Sequence, residues 1–169
     1  MLFDKILKNS FKAMFLAGLG LFGWCTIEEP KPKPEGNKEL LLQLVNSYRT
    51  SGCNCGTAGY FAPTTPVVWN KALELAAYDH CVDMFTNKFF SHTGSDGANV
   101  ETRLKRRGYE WKTFGENIAR GYQTEKSVIE GWIKSPGHCS NIMNPNFKEI
   151  GASKVNDYWT LVLGTRKSN

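Results

Sequence analysis

Residues 131–152 read GWIKSPGHCSNIMNPNFKEIGA, and this stretch sets the expected fold because a helix ends and a sheet begins within it. The helix is predicted to start at Thr124, and its buried face comprises four apolar residues, Val128, Ile129, Trp132 and Ile133. Ser-Pro-Gly at 135–137 terminates it. His138 and Cys139 follow this break. The pair could be a nucleophile with its base, two metal ligands, or a structural thiol beside a functional imidazole.

Three β-prone segments surround this break. FGENIARGY at 114–122 is interpreted as one strand, and EIGASKV at 149–155 and YWTLVLG at 158–164 as two more. Asn156 and Asp157 join the last two segments, which indicates a hairpin.

Three further helices are predicted upstream, and an asparagine can cap each of the first two. Asn37 precedes apolar residues at helical spacing, namely Leu41, Leu44, Val45 and Tyr48. Asn70 begins a longer helix that ends near Asn87, and a short one runs from about Asn99 to Gly108. Helices therefore bracket a small antiparallel sheet, which is an α+β fold.

Residues 1–24 are typical of an export signal. Three lysines precede twelve uncharged residues at 13–24, a run shorter than the ~20 apolar residues of a membrane span. LFGWC at 21–25 resembles a bacterial lipoprotein signal, in which Cys25 would be lipidated and become the mature N-terminus. Trp24 stands where a small residue is usual, so an uncleaved anchor or an ordinary signal cut nearby are the alternatives.

Residues 25–37 are predicted to form a spacer, since prolines alternate with charges and few apolar groups are available for burial. The remaining residues, 38–169, suit one domain with one core. The whole chain carries a net charge of +5, and its densest basic cluster is RLKRRG at 103–108. No base-stacking motif accompanies this cluster, so it is interpreted as a solvated helix face, and no nucleic-acid partner is expected.

Four motifs, in this order and spacing, together resemble the CAP superfamily (SCP-like, or cysteine-rich secretory protein, antigen 5 and pathogenesis-related 1 domains), and its bacterial branch in particular. They are FFSH at 89–92, GENIA at 115–119, the stretch at 131–152, and YWT at 158–160. The resemblance covers about residues 40–164. It implies a three-layer α-β-α sandwich with a small central antiparallel sheet, in a secreted or surface-attached protein.

The resemblance also implies a central cleft lined by two histidines and two acidic residues, which binds divalent cations in some members. The matching residues here are His92, Glu116 and His138. The second acid usually follows the helix tryptophan by a few residues, but Trp132 is followed by Ile133, Lys134 and Ser135. The expected cleft is therefore reduced to three of the four groups.

Two imidazoles and a carboxylate could hold Zn²⁺ with one open position, and such a site could polarise a carbonyl or activate water. The alternative is a pair of imidazoles that Glu116 orients through hydrogen bonds, without a metal. Spacing leaves both open, since the three residues come from separate elements. His80 is expected to be packed or surface-facing, not a ligand, and Asn117 and Asn141 to hold the cleft loops by hydrogen bonds.

The domain has four cysteines, Cys53, Cys55, Cys81 and Cys139, and exported thiols tend to oxidise. In bacterial relatives a cysteine in the loop after the first helix accompanies the one in the GHC motif. The resemblance therefore implies a Cys55–Cys139 bond, which leaves Cys53 to pair with Cys81. A four-thiol zinc site is the rival interpretation. On the disulfide interpretation, Cys139 is structural and His138 lines the cleft.

Two functional classes follow. We expect a non-catalytic, monomeric module that binds a small molecule, a lipid or a protein outside the cytoplasm. It would be lipid-anchored to the cell envelope or outer surface, with a secreted or periplasmic protein as the alternative. The second class is a metal-assisted hydrolase, because some CAP proteins have been proposed to be proteases. Ser91, Ser135 and Ser140 lie near the histidines, but no nucleophile-elbow motif surrounds them.

Overall fold

The fold is seen in a computed structural model, which describes residues 31–168. The predicted signal at 1–24, the lipidation site Cys25 and the first part of the spacer lie outside these residues, so those assignments stay predictions. Within residues 31–168, no helix is long and apolar enough to cross a membrane.

The described residues form five α-helices, six strands and a short 3₁₀ turn at Gly56–Ala58. The helices are α1 (Lys38–Ser51), α2 (Lys71–Asn87), α3 (Val100–Arg106), α4 (Glu125–Lys134) and α5 (Pro136–Met143). The strands are β1 (Cys53–Asn54), β2 (Tyr60–Phe61), β3 (Val68–Trp69), β4 (Trp111–Arg120), β5 (Glu149–Val155) and β6 (Tyr158–Arg166).

A four-stranded sheet in the order β3-β5-β6-β4 forms the middle layer. The predicted hairpin is present, since β5 and β6 pair antiparallel and turn at Asn156, which has a φ of 56°. Strand β4 pairs antiparallel with β6 and lies at one edge of the sheet, while β3 pairs in parallel with β5 at the other edge. The sheet is thus antiparallel except for this two-residue edge strand.

The helices cover both faces of the sheet. Helices α1, α4 and α5 pack on one face with Leu161 and Leu163 of β6, in a core that includes Val45, Ile129 and Trp132. Helices α2 and α3 pack on the other face with Val162 of β6, through residues that include Leu73 and Leu104. Because successive strand residues point to opposite faces, β6 contributes to both cores. The predicted α+β fold with three layers is confirmed.

The predicted helix starts are also observed. The side chains of three asparagines cap α1, α2 and α3 by accepting hydrogen bonds from backbone N–H groups of the first turn, and these are Asn37, Asn70 and Asn99. Thr124 caps α4 in a reciprocal arrangement with Ser127.

One helix was not predicted. Ser-Pro-Gly does end α4, at Lys134, but Pro136 then starts α5 without an intervening loop. Proline is tolerated at the first helical position because its missing N–H would have no intrahelical partner there. His138 and Cys139 therefore lie on a helix. Side chains of consecutive helical residues do not face each other, so the two are not placed as a nucleophile and its base.

Part of the predicted spacer contacts the domain. The Tyr78 hydroxyl donates to the carbonyl oxygen of Pro32 at 2.6 Å, and Glu35 forms an isolated antiparallel bridge with Lys154. These contacts begin ahead of the boundary predicted between residues 37 and 38.

Candidate functional site

The candidate site is centred on Glu116, which β4 presents on the face of the sheet that α2 and α3 cover. Its side chain is only 3% exposed. Nδ1–H of His92 donates to Oε1 of Glu116 at 2.8 Å, and Nη2 of Arg103 donates to Oε2 at 2.6 Å. Both carboxylate oxygens are therefore engaged, one by a charged guanidinium.

Arg103 lies on α3 and corrects one expectation. The cluster at 103–108 was predicted to be a solvated face, but the Arg103 side chain is only 5% exposed. Its guanidinium also donates to the carbonyl oxygens of Ala98 at 2.9 Å and of His92 at 3.2 Å. Arg106, three residues later, matches the prediction, since it is exposed and pairs with Asp96 at 2.7 Å.

His92 lies in the loop after α2, and two side chains hold this loop from behind. Arg103 donates to the His92 carbonyl, and the buried His80 contacts the Ser91 carbonyl through Nε2 at 2.8 Å, which makes that nitrogen the donor. His80 is therefore packed beneath the loop, and it does not join the cleft. The His92 side chain is 58% exposed, so the ring edge carrying Nε2 remains open.

His138 lies on α5, half-buried, on the far side of the edge strand from Glu116. Asn117 of β4 donates to the His138 carbonyl at 3.0 Å, and Asn141 of α5 donates to Asn117 Oδ1 at 2.9 Å. The two asparagines thus form hydrogen bonds, as expected, but they join α5 to β4 instead of holding loops.

The electrostatics of the three groups differ. The hydrogen bond with Glu116 raises the pKa of His92 above its ordinary value, although burial opposes this. Burial, assisted by the charge of His92, lowers the pKa of His138. Burial alone would raise the pKa of Glu116, but the hydrogen bond from His92 and the charge of Arg103 outweigh it and hold that pKa below its usual range. Protonation therefore begins at His92, before His138.

The structure brings His92 and Glu116 together but does not bring all three predicted ligands into one shell. Within residues 31–168, the set of three ligand-type side chains whose donor atoms all lie within 4.8 Å of one another is Cys53, Cys55 and Cys139, and the predicted trio is not such a set. Two of these sulfurs are bonded to each other, so they are not a free ligand set.

The predicted set of three ligands therefore fits a metal only if Glu116 is not itself a ligand. Each oxygen of Glu116 already accepts a hydrogen bond and its side chain is only 3% exposed, whereas Nε2 of His92 belongs to an exposed ring and the His138 ring makes no hydrogen bond within residues 31–168. A carboxylate that accepts the other N–H of a ligating histidine is a common outer-shell arrangement at metal sites. His92 and His138 would be the ligands, with Glu116 behind His92.

The cysteines follow the prediction in part. Cys55 and Cys139 are bonded, which ties the first loop to α5. The predicted Cys53–Cys81 bond is wrong, because both residues are free thiols. Cys81 is buried between α2 and the sheet, with its sulfur 3.3 Å from Thr160 Oγ1. Cys53 lies on the opposite face of the sheet, beside the core of α1, α4 and α5.

Arg49 is a further buried cation that the sequence analysis missed. Nη1 donates to the carbonyl oxygens of Ile142 and Asn144, at 2.7 and 3.0 Å, and Nη2 donates to that of Phe147 at 3.1 Å. It fastens the end of α5 to α1. Its position continues the spacing of Leu41 and Val45, and this is the signal that marks it as buried.

Comparisons with known proteins agree with this architecture. The family model described as the cysteine-rich secretory protein family, CAP, matches residues 42–162. The uncharacterized protein YkwD of Bacillus subtilis is 35% identical over 97 residues, covering 56% of this chain and 38% of YkwD. The uncharacterized membrane protein YlbC of the same organism is 29% identical over 92 residues, covering 54% of this chain and 27% of YlbC. The chain thus spans less than two fifths of either relative.

Two solved structures share the fold. An extracellular protein containing a SCP domain from Bacillus anthracis superimposes with a TM-score of 0.68 at 25% identity, over 76% of this chain and 40% of that one. An outer surface protein of Borrelia burgdorferi gives a TM-score of 0.66 at 19% identity, over 80% of this chain and 99% of that one. The second likeness concerns the fold alone.

Proposed function

We propose, from the premise that this chain belongs to the cysteine-rich secretory protein (CAP) family, that it acts outside the cytoplasm as a membrane-anchored, non-catalytic binding module. Its cleft uses the imidazoles of His92 and His138 to bind a divalent cation such as Zn²⁺, or a ligand that coordinates or hydrogen-bonds to those nitrogens.

The observation that carries this proposal is that Glu116 is buried and that each of its oxygens already accepts a hydrogen bond. A carboxylate that acts as a general base must have an oxygen within reach of the proton it abstracts. Here one oxygen accepts from His92 and the other from Arg103, and the side chain is buried. Glu116 therefore orients His92 instead of attacking or activating anything.

A hydrolase that attacks through a serine or cysteine would need that side chain beside a histidine. Within residues 31–168, no serine or cysteine side chain hydrogen-bonds to the ring of His92 or His138. The Ser140 hydroxyl donates to the Pro136 carbonyl at 2.7 Å, and Cys139 is held in the disulfide. A nucleophile and its base are recognised by a direct hydrogen bond between them, so this arrangement favours binding over catalysis.

A bound cation would supply Lewis acidity toward an oxygen of the ligand. The chain's own residues supply orientation. The Glu116 hydrogen bond fixes the proton on Nδ1 of His92 and leaves Nε2 as the lone pair that faces solvent. Two imidazoles without a carboxylate ligand form a weak zinc site, since solvent must complete the shell.

The extracytoplasmic location is supported by the sequence of the first 25 residues and by relatives. The Bacillus anthracis protein is described as extracellular and YlbC as a membrane protein. Acyl chains on Cys25 together with the proline-rich tether would suit stable attachment without a spanning helix.

Zinc titration calorimetry combined with a peptidase assay tests this function. We expect the domain to bind zinc weakly and His138→Ala to lose that binding while keeping its circular dichroism spectrum, because a half-buried cleft residue contributes little to the core. Glu116→Gln should weaken binding, and Glu130→Gln, on the exposed side of α4, should not. The wild type should show no peptide hydrolysis.

Two results would contradict the proposal. Equal zinc affinity of wild type and His138→Ala would mean that the cation binds elsewhere. Peptide turnover by the wild type that is lost in Glu116→Gln would assign the chain to the hydrolases.

A further inference from the structure

Three sulfur atoms lie together at the junction of the first loop and α5. Cys55 and Cys139 are bonded to each other, and the Cys53 sulfur lies 3.9 Å from that of Cys139. All three sulfurs lie within 4.8 Å of one another. A disulfide bond is about 2.05 Å long, so an approach of about 2 Å would bring Cys53 to bonding distance.

The three cysteine residues differ in burial. Cys55 and Cys139 are buried, whereas Cys53 is half-buried. Disulfides are broken by attack of a thiolate on one of the two sulfurs, so a thiol already beside a shielded disulfide has an advantage over thiols in solution. Burial raises the pKa of Cys53, which makes attack slow at neutral pH.

The backbone around the thiol can adjust. Gly52 and Gly56 flank the segment Cys53-Asn54-Cys55, with φ values of 78° and 62°. Glycine moves between backbone regions at low cost, because it has no Cβ. Cys53 pairs with Phe61 in the β1–β2 ladder, so the exchange must open this two-residue pairing while Gly52 and Gly56 absorb the change in backbone angles.

We propose that Cys53, Cys55 and Cys139 form an intramolecular thiol–disulfide exchange site. The Cys53 thiol loses its proton to solvent, and the resulting thiolate attacks the Cys139 sulfur. A Cys53–Cys139 bond forms, the Cys55–Cys139 bond breaks, and Cys55 leaves as a thiolate that takes a proton from solvent. The number of disulfides is unchanged, so no oxidant or reductant is needed.

The exchange reaches the cleft through α5. Cys139 follows His138 directly, and in either isomer it remains tied to the first loop. The exchange changes the residue that is bonded to Cys139, from Cys55 to Cys53, and so shortens the segment that links α1 to the disulfide. Cys81 takes no part, because it is buried on the other face of the sheet and burial raises its pKa to about 12.

Alkylation of the native protein tests the proposal. The wild type is incubated without reductant in mildly alkaline buffer, quenched in acid, alkylated and digested, and tandem mass spectrometry assigns the label to Cys53 or Cys55. We expect label on both residues, with the share on Cys55 rising during incubation. The Cys81→Ala variant should give the same distribution, and Cys53→Ser should show no label on Cys55. Label confined to Cys53 after prolonged incubation would overturn the proposal.

A second variant gives an independent test. In Cys55→Ser, air oxidation should produce the Cys53–Cys139 bond, seen as a cross-linked peptide pair, in a protein with the circular dichroism spectrum of the wild type. Recovery of Cys53 and Cys139 as two alkylated thiols in that folded variant would show that the sulfurs cannot meet.

Discussion

Nδ1 of His92 donates a 2.8 Å hydrogen bond to Oε1 of Glu116, and this bond joins the loop after α2 to the edge strand β4. The carboxylate is buried while the imidazole is mostly exposed, so the bond fixes an exposed ring from the interior of the domain. Arg103 completes the arrangement by neutralising the carboxylate from behind. The His92–Glu116 bond contributes more to the orientation of the imidazole than to stability, because the imidazole is solvated.

Removing Arg103 should destabilise the fold strongly. Arg103→Leu leaves the buried carboxylate of Glu116 without its charged partner and frees the carbonyls of His92 and Ala98. Breaking a buried ion pair from one side costs about 3–5 kcal/mol, and we expect a loss of that order in urea unfolding.

Arg106→Leu is the matched control, since it lies on the same helix, 56% exposed, and pairs with Asp96. An exposed pair contributes roughly 0–1 kcal/mol. Equal losses in the two variants would mean that Arg103 acts only as a surface residue.

The His92–Glu116 bond predicts a pH dependence. Because this bond raises the pKa of His92, the folded protein holds the proton more tightly than the unfolded chain does. The stabilisation is complete below the ordinary histidine pKa and is lost as the pH rises through the folded pKa. The difference in unfolding free energy between wild type and His92→Gln should therefore shrink from about pH 6 to about pH 8.

His138 should behave in the opposite way. Burial lowers its pKa, so the folded protein disfavours the charged form and is penalised as the pH falls. The difference in unfolding free energy between wild type and His138→Gln should therefore grow as the pH rises from about 5 to about 7 and then level off above the ordinary histidine pKa. A common slope for both variants would contradict the assigned directions.

The Cys55–Cys139 bond should contribute substantially to stability. Cys139→Ala removes the sulfur common to both disulfide isomers, and loss of a native bridge from a small exported domain costs about 2–5 kcal/mol. We expect this loss in denaturant unfolding under oxidising conditions. Cys53→Ser keeps the bond and should change stability little, so a similar loss in both variants would show that the bridge is not the cause.

Cys25 is predicted to carry the anchor. We expect the native protein to begin at Cys25 with a lipid on that residue, held away from the membrane by the proline-rich segment. Intact-mass spectrometry of the protein from its own membrane fraction measures this. An intact Met1 or an unmodified Cys25 would contradict it.

Local signals predicted most elements. The helices that begin after Asn37, Asn70 and Asn99 could be predicted because a capping side chain and an apolar stripe act within a few residues. The hairpin at Asn156 followed from the same kind of short-range pattern. Helix α5 was missed, since the proline that ends one helix is equally suited to begin the next.

Local sequence signals did not predict the two buried arginines. Arg49 and Arg103 are buried because carbonyl and carboxylate oxygens from distant segments surround them, and those partners are brought close only by the fold. The Cys53–Cys81 assignment failed for a related reason. It followed from elimination among four thiols, whereas the sheet lies between the two residues.

The imidazole nitrogens themselves give the most direct test of how the cleft binds. Long-range ¹H–¹⁵N correlation spectra of the histidine rings, recorded during zinc addition, report which nitrogen is protonated and which takes the metal. We predict that His92 carries its proton on Nδ1, that zinc shifts Nε2 of His92 together with one ring nitrogen of His138, and that Nδ1 of His92 keeps its proton. Zinc-induced loss of the proton on Nδ1, or binding that leaves both rings unshifted, would contradict the account.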